Sequence, residues 1–278
     1  MEIQSEICPC PSCGSGHTYK MPVFRLHSIR ECDGCGLWFS SDMSDPGEEF
    51  YKGIYAAEKK SCDQLSELRT IRSSDFETTL VELLKLFNND SQQVSILDWG
   101  CGVGEYVKEL SDLGYDAVGF ERNSEIVNHA NNILYQRTLL TDSIKEIDRQ
   151  FDFVLAIQVL EHLPNPLSFL ISLREYMHVR SKVIVYVPNM NFFRIRKDFV
   201  NGNLPDGNYP PHHLTFWSKR SLVDLFNRAG FQLLSITEST YPYLDSEGKS
   251  WWVGATKAIV RNLGWLGGPS LIAVAVKR

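Results

Sequence analysis

Four cysteines near the N-terminus have the spacing of a metal site. Cys10 and Cys13 form one CxxC pair, and Cys32 and Cys35 form a second pair after 18 intervening residues. Each pair lets two thiolates reach one ion from a tight turn, and four thiolates close a tetrahedral zinc site without leaving a position for water. The sequence therefore predicts a structural zinc ion held by these four cysteines.

Other residues near the cysteine pairs are alternative ligands. Cys8 is an alternative to Cys10, whereas His17 and His27 fit only an irregular spacing. Residues 1–42 are rich in Cys, Pro, Gly and Ser and lack a sustained helix or strand period, so we expect a loop-dominated zinc ribbon. The metal-type spacing argues against a disulfide framework, and the thiols are expected to be reduced.

A glycine-rich turn follows an apolar run in the middle of the chain. Gly100, Gly102 and Gly104 follow Asp98 and Trp99, where a strand is predicted to run into a helix. Glycines permit a tight turn and the close approach of a ligand at the carboxyl edge of a sheet. Glu121, 21 positions after Gly100, ends the next predicted strand and is placed to accept hydrogen bonds from ribose hydroxyls.

A dinucleotide site is the natural competitor for this turn. Its fingerprint needs a third glycine where this chain has Glu105. That carboxylate would face a pyrophosphate at the helix N-terminus, where anion binding requires bare amides. A cofactor without phosphates therefore fits better, and a tight turn without any ligand is the structural alternative.

Three histidines are candidates for proton transfer. His162 follows a predicted strand, and His212 and His213 lie near the end of a long polar segment. A neutral imidazole near pH 7 is a suitable general base for removing a hydroxyl proton. The alternative is that each histidine shapes its loop through hydrogen bonds.

The elements that would position these residues alternate between strand and helix from Val94 onward. This pattern predicts an α/β fold built from βαβ units around a mostly parallel sheet of seven strands. Strands are predicted at 94–99, 116–120, 137–140, 151–157, 182–187, 231–237 and 271–276. Helices are predicted at 105–113, 124–134, 167–178 and 219–229.

The chain divides into three predicted segments. A zinc-ribbon module spans 1–42, a connector with a leading helix spans 43–90, and the main domain spans 91–278. Two segments of the main domain, 189–217 and 240–268, are expected to be insertions that contribute to the substrate site.

Composition narrows the functional classes. The formal net charge of -6 argues against a generic nucleic-acid binder, because such binding depends on clustered Lys and Arg. The N-terminus shows no apolar signal region, and no run of about 18 apolar residues is present, so we expect a cytoplasmic protein. The sequence carries no signal for an oligomeric state.

From about Asp75 to its end the chain resembles class I S-adenosylmethionine-dependent methyltransferases. This resemblance implies that the predicted sheet is of the Rossmann-like, doubly wound type and that its last strand is antiparallel. Asp98 and the three glycines match the first motif of that family, whose loop wraps the methionine part of the cofactor, and Glu121 matches its ribose-binding acid. The same resemblance implies that Asp142 meets the adenine amine, although a helix N-cap is an alternative role. It also implies that Gln158 and Val159 contact the cofactor beside the reaction centre.

Two further motifs resemble particular branches of this family. The run from Val159 to Leu163 resembles the "LEHL" signature of ubiquinone-pathway and sugar-modifying methyltransferases. The run from Pro210 to Ser218 resembles the "P-x-H-L-x-F-[FW]-S" motif of sugar and polysaccharide methyltransferases, in which His213 is the motif histidine.

These resemblances imply methyl transfer to a saccharide with His213 as general base. The carbon-methylating branch often has Glu where this chain has His212, which argues against carbon methylation. Tyr51, Tyr55 and Tyr209 are candidates for lining the substrate pocket, with core packing as the alternative. Two other hypotheses are methylation of a small phenolic or quinone-like metabolite, and a zinc-ribbon docking protein whose methyltransferase domain acts on a macromolecule.

Overall fold

A computed structural model describes residues 8–21, 28–47, 50, 80, 84–85, 94–133, 139–191, 201, 209–239 and 270–278. The predicted insertion at 240–268 lies outside the described residues, as do the candidate pocket residues Tyr51 and Tyr55. The alternative metal ligand His27 also lies outside them, whereas the other candidate site residues are described.

The cysteine-rich module contains three short antiparallel strands. They are β1 (Thr18–Lys20), β2 (Ile29–Cys32) and β3 (Trp38–Ser40). The module thus contains short strands where the sequence shows no sustained strand period. Strands of three or four residues contain too few alternations for a period of two to show in the sequence.

The main domain contains a large sheet of seven strands among the described residues. In chain order its strands are β4 (Ser95–Trp99), β5 (Asp116–Phe120), β6 (Leu139–Thr141), β7 (Phe151–Ile157), β8 (Met177–Pro188), β10 (Phe231–Ser239) and β11 (Ser270–Lys277). Across the sheet they are ordered β10-β11-β8-β7-β4-β5-β6. Strands β4 to β8 are parallel, and β11 runs antiparallel to both of its neighbours, as predicted.

The total strand count differs from the prediction because of a second sheet. Strand β9 (Thr215–Phe216) lies within the predicted insertion at 189–217, yet it pairs antiparallel with β3 of the cysteine module. Together β1, β2, β3 and β9 form a four-stranded sheet. The end of this insertion is therefore an ordered strand, and the cysteine module is joined to the main domain by main-chain hydrogen bonds.

Four α-helices are described in the main domain: α1 (Glu105–Asp112), α2 (Ser124–Ile133), α3 (Pro166–Leu173) and α4 (Lys219–Arg228). The helix predicted at 167–178 is too long, because Met177 already pairs with Phe151 as the first residue of β8. Helix α4 begins at a capping box in which Ser218 and Ser221 bond each other's main chain. Gly230 follows its end with a φ of 76°, as the sequence predicts.

Apolar residues cover both faces of the large sheet. Alternate residues of β4 point to opposite faces, so that Ile96 packs on the α1 and α2 side and Leu97 on the α3 and α4 side. The core on the Leu97 side also includes Phe39 and the buried cysteines of the N-terminal module. None of the helices that the structure describes has both the length and the apolar composition needed to cross a membrane.

We expect Phe39→Ala to destabilise both parts of the chain, because Phe39 is fully buried in their shared core and lies on the strand that pairs with β9. Large-to-small changes of this kind cost about 3–5 kcal/mol. Urea unfolding measures the change. Val179→Ala, at a side chain that is 77% exposed, is the control and should leave the unfolding midpoint unchanged.

Candidate active site

The glycine turn lies at the carboxyl end of β4 and opens helix α1. Gly100, Gly102 and Gly104 have φ angles of 77°, 54° and 76°, a region that favours glycine. A Cβ at Gly100 would lie 2.8 Å from a methyl group of Val159. The turn is therefore held closely against the segment that follows β7.

Two buried carboxylates stand behind this turn. Asp98 is 2% exposed, and its Oδ2 has no hydrogen-bond partner among the described residues. Glu121 is also buried, and it accepts hydrogen bonds from the amides of Gly102 at 3.2 Å and Asn123 at 3.0 Å. The structure thus brings together the five residues that the sequence assigns to the cofactor loop.

The electrostatics of this region favour a positively charged ligand. Burial, followed by the charge of Glu121, raises the pKa of Asp98 to about 7. Burial also raises the pKa of Glu121, and burial with the two nearby carboxylates raises the pKa of the Cys101 thiol well above its usual value. A cation here would favour ionisation of the carboxyls, whereas a phosphate would be repelled.

The remaining cofactor candidates lie at the same edge of the sheet with different exposure. Gln158 has a φ of 56° and donates its amide to the carbonyl of Tyr186 at 2.8 Å, so the chain turns sharply after β7. Asp142 is exposed just after β6. It is not a helix N-cap, because Ser143 occupies the position before the 3-10 turn.

Three histidines from two distant segments meet beside this edge. The ring centroids of His162 and His212 are 4.3 Å apart, those of His162 and His213 are 4.8 Å apart, and those of His212 and His213 are 5.3 Å apart. Nδ1 of His162 lies 2.9 Å from the carbonyl oxygen of His212. Because a carbonyl only accepts, Nδ1 of His162 donates, and its lone pair is on Nε2.

Main-chain hydrogen bonds hold the two histidine segments together. The carbonyl of Tyr209 accepts from the amides of His212 at 3.0 Å and His213 at 3.1 Å. The amide of Leu214 donates to the carbonyl of Glu161 at 2.7 Å. The side chain of Tyr209, a predicted pocket residue, is buried in a small core cluster that includes residues of β2, β3 and β9.

The three imidazoles are neutral at pH 7. Burial, followed by the charge of His212, lowers the pKa of His162 to about 4. Burial also lowers the pKa of His212, and it lowers that of His213 well below its usual value. Each ring therefore offers a lone pair to a proton or to a metal ion.

The histidine cluster is connected to the glycine turn by one short segment. The Val159 side chain packs on Gly100, and its carbonyl accepts the amide of His162 at 3.1 Å. A ligand at the glycine turn and a second molecule at the histidines would thus share the 158–162 segment. This arrangement suits group transfer between two bound molecules.

Sequence reasoning did not single out two residues whose environment or contacts bear on the site. Glu161 is fully buried, neither of its carboxyl oxygens has a hydrogen-bond partner in the described part of the chain, and burial raises its pKa to about 8. The sequence signal that could have identified Glu161 is an acidic residue between the apolar residues Leu160 and Leu163. Arg220 donates hydrogen bonds to the carbonyls of Asp33 at 3.3 Å and Gly34 at 2.7 Å. A local sequence pattern cannot predict a contact between residues up to 187 positions apart.

The four predicted cysteine ligands also come together. Sγ of Cys10 lies 3.6 Å from that of Cys35, Sγ of Cys13 lies 3.4 Å from that of Cys32, and all four lie within 4.8 Å of one another. A tetrahedral zinc ion with Zn–S bonds of about 2.3 Å requires sulfur separations of about 3.8 Å. The residues present therefore fit such an ion, and Cys8 instead lies 3.8 Å from the carbonyl of Ser41.

A family model described as a methyltransferase domain matches residues 70–236, more than half of the chain. The chain belongs to this methyltransferase family. The match covers the glycine turn, both buried carboxylates and the three histidines, whereas the cysteine module lies outside it.

Two kinds of enzyme name occur among the curated relatives to which this methyltransferase is similar. It is 26% identical to a ubiquinone biosynthesis O-methyltransferase of Rickettsia typhi over 129 residues, 44% of this chain and 51% of the relative. It is 22% identical to a tRNA U34 carboxymethyltransferase of Aliarcobacter butzleri over 246 residues, 78% of this chain and 75% of the relative. The chain thus spans about half the length of the ubiquinone-pathway relatives it matches.

Solved structures support the fold. A SAM-dependent methyltransferase of Thermotoga maritima superposes with a TM-score of 0.54 at 14% identity, covering 81% of this methyltransferase and all of that chain. At this identity the likeness concerns the arrangement of strands and helices alone.

We expect Gly100→Ala to weaken the binding of S-adenosylmethionine by about 10-fold or more, because the added methyl group would push Val159 and the turn apart. Gly114→Ala is the matched control, since Gly114 also has a positive φ of 89° but has open space around it. Both changes cost about 1 kcal/mol or more of backbone strain. Calorimetric titration with S-adenosylmethionine should give a weaker affinity for Gly100→Ala than for Gly114→Ala. Equal affinities of the two variants would contradict the packing argument.

Asp98 should make the ligand-free chain less stable as the pH rises. Its pKa is about 7 in the folded chain against an ordinary 3.8, so between these values unfolding releases a proton and is favoured by higher pH. Asp98→Asn should flatten this slope between about pH 4 and pH 7. Urea unfolding at several pH values measures it, with the exposed Asp148→Asn as control.

Proposed function

We propose that this chain transfers the methyl group of S-adenosylmethionine to a hydroxyl oxygen of a small aromatic acceptor. One observation carries the cofactor assignment: Asp98 and Glu121 are buried behind a glycine turn, and Asp98 has an oxygen without a partner among the described residues. The cofactor carries positive charges on its sulfur and its amino group and has no phosphate. It therefore matches the electrostatics of this site better than a dinucleotide does.

Each cofactor residue then has a proposed role. The main chain at Gly100, Gly102 and Gly104 surrounds the methionine part, and Glu121 exchanges its bond to the Gly102 amide for the ribose hydroxyls. Asp142 is the proposed partner of the adenine amine. Gln158 and Val159 flank the methyl group, because their segment packs on the glycine turn. Tyr51 and Tyr55 remain predicted pocket residues.

An aromatic acceptor is supported by two observations. The relatives named for ubiquinone biosynthesis are O-methyltransferases, a name that favours the aromatic acceptor over the saccharide that the sequence motifs imply. In addition, the ring of Phe50 lies 6.0 Å from that of His212, and Phe50 is 37% exposed. An aromatic side chain beside the histidines offers an apolar surface on which a planar acceptor can stack.

The histidine cluster is the proposed site of proton removal. Methyl transfer is an in-line displacement: the acceptor oxygen forms a bond to the methyl carbon while the carbon–sulfur bond breaks and its electron pair remains on sulfur. The acceptor hydroxyl must lose its proton, and neutral imidazoles close to the glycine turn are suited to assist. His213 is the base that the sequence predicts.

We propose that the four-cysteine cluster holds a structural zinc ion. All four positions of a tetrahedral ion would be filled by sulfur, so the ion would stabilise the module without binding substrate. The stabilised strand β3 pairs with β9, and the amide of Ser40 donates to the carbonyl of Leu214 at 2.8 Å, directly after the histidines. Zinc binding would thereby hold the acceptor side of the site.

A macromolecular acceptor is the second candidate, because the tRNA-named relative is matched over a larger share of this chain. The name of that relative favours a nucleic-acid acceptor, whereas the sequence analysis argues against one. The net charge of -6 weighs against RNA binding, and RNA therefore enters the assay as a competing acceptor.

The test is methyl transfer from S-adenosylmethionine to catechols, nucleotide sugars and tRNA, measured side by side. We expect methylation of a catechol oxygen. His213→Ala should lower turnover by about 100-fold or more and change cofactor affinity by less than about 2-fold, because the histidines lie on the acceptor side. His178→Ala, at an exposed position of β8, is the control.

Transfer to a sugar or to tRNA alone would overturn the proposed acceptor. Absence of S-adenosylmethionine binding by the folded chain would overturn the proposed function as a whole. Unchanged turnover in His213→Ala would remove the proton-transfer role of this residue.

A further inference from the structure

Besides the cysteines, the described part of the chain contains one other group of three metal-type ligands. It consists of His162, His212 and His213, whose ligand atoms all lie within 4.8 Å of one another. This group is separate from the cysteine cluster, and its three ligands come from two segments 50 positions apart. Packing of three uncharged rings alone does not require their nitrogen atoms to converge.

We propose that His162, His212 and His213 bind one divalent transition-metal ion of the zinc type. Zinc–nitrogen bonds of about 2.0–2.1 Å place the nitrogen atoms of a tetrahedral site about 3.3 Å apart. The present separations of at most 4.8 Å exceed this value by at most about 1.5 Å.

The orientation of His162 is that of a metal ligand. A ligating histidine usually donates its other ring N–H to a carbonyl or carboxylate, which fixes the ring and its tautomer. His162 does this through Nδ1, 2.9 Å from the carbonyl oxygen of His212. Its Nε2 is thereby left with a lone pair, as coordination requires.

The two segments are aligned before any ion binds. The Tyr209 carbonyl holds the amides of both His212 and His213, and the bond from the Leu214 amide to the Glu161 carbonyl fixes this segment beside His162. The hydroxyl of Thr215 adds a bond to the Leu160 carbonyl at 3.0 Å. The two histidine segments therefore lose little conformational freedom when an ion binds, which favours binding.

The donor set indicates the class of ion. Three imidazoles suit zinc, cobalt, nickel, copper or iron, whereas magnesium and calcium require oxygen ligands. Three protein ligands leave a fourth position open, as in catalytic zinc sites. The adjacent Glu161 is fully buried but is not within the ligand group, so the three imidazoles are the proposed protein ligands.

The role of the ion rests on the proposed function. An acceptor hydroxyl at the open position would lose its proton to water, because a bound cation lowers the pKa of a coordinated oxygen acid. The oxygen lone pair would then attack the methyl carbon, and the carbon–sulfur electron pair would stay on sulfur, giving an aryl methyl ether and S-adenosylhomocysteine. His213 would act as a ligand, and coordination would replace proton transfer to its ring.

Cobalt binding tests the site without any acceptor. The full chain, free of affinity tags, is dialysed against a weak chelator, its residual metal is counted, and Co²⁺ is added while heat and visible absorption are followed. We expect one equivalent of Co²⁺ with the visible bands of nitrogen and oxygen ligation and without the strong sulfur-to-cobalt absorption of a thiolate site.

Histidine variants identify the ligands. His212→Ala and His213→Ala should each weaken this Co²⁺ equivalent by about 10-fold or more, and His178→Ala should bind it as the wild type does. Circular dichroism and S-adenosylmethionine affinity verify folding, and His212→Gln replaces His212→Ala if that variant fails either measurement. A wild-type chain without this equivalent, or equal Co²⁺ affinity in the cluster variants, would overturn the site.

Methyltransferase activity measured with and without metal distinguishes failure of the proposed metal site from failure of the proposed function. Loss of catechol methylation on chelation and its return with Zn²⁺ or Co²⁺ would support the role of the ion. Full activity in a chain whose histidine site has been emptied would overturn that role in favour of His213 as base. Cobalt binding without methylation of any catechol would support the site and overturn the proposed acceptor.

Discussion

The main chain of Leu214 joins the three parts on which the site depends. Its amide donates to the carbonyl of Glu161, in the turn that follows β7, and its carbonyl accepts the amide of Ser40, in the cysteine module. Both groups are buried, so either bond, if broken, would leave a polar group without a partner, at a cost of about 1–3 kcal/mol. The two histidines that precede Leu214 therefore have little freedom to leave their place beside His162.

The site combines two environments of opposite character on either side of Val159. On one side are Asp98 and Glu121, whose burial raises the pKa of each carboxyl and favours a cationic ligand. On the other side are three imidazoles whose burial lowers their pKa values and keeps them as lone-pair donors. Val159 contacts Gly100 with its side chain and His162 with its carbonyl, so a single residue joins the two sides.

The cysteine module belongs to this arrangement through packing as well as through strand pairing. Phe39 and the buried cysteines share a core with β4 and with helices α3 and α4, and Arg220 at the start of α4 bonds two carbonyls of the second CxxC turn. A cysteine module attached in this way stabilises the neighbouring part of the main domain. Its sequence boundary at residue 42 therefore does not coincide with a boundary in the core.

Local patterns determined much of this protein. The period of the apolar residues placed the strands of the large sheet, the glycine turn and Glu121 are recognisable because a tight turn needs particular residues at fixed spacing, and the CxxC pairs show the cysteine cluster for the same reason. Tertiary structure alone decided what depends on distant residues: the pairing of β3 with β9, the contact of Arg220 with the cysteine turn, the burial of Glu161, and the meeting of His162 with His212 and His213. These contacts join segments up to 187 positions apart, and their energies come from burial and shared hydrogen bonds that no short stretch of sequence contains.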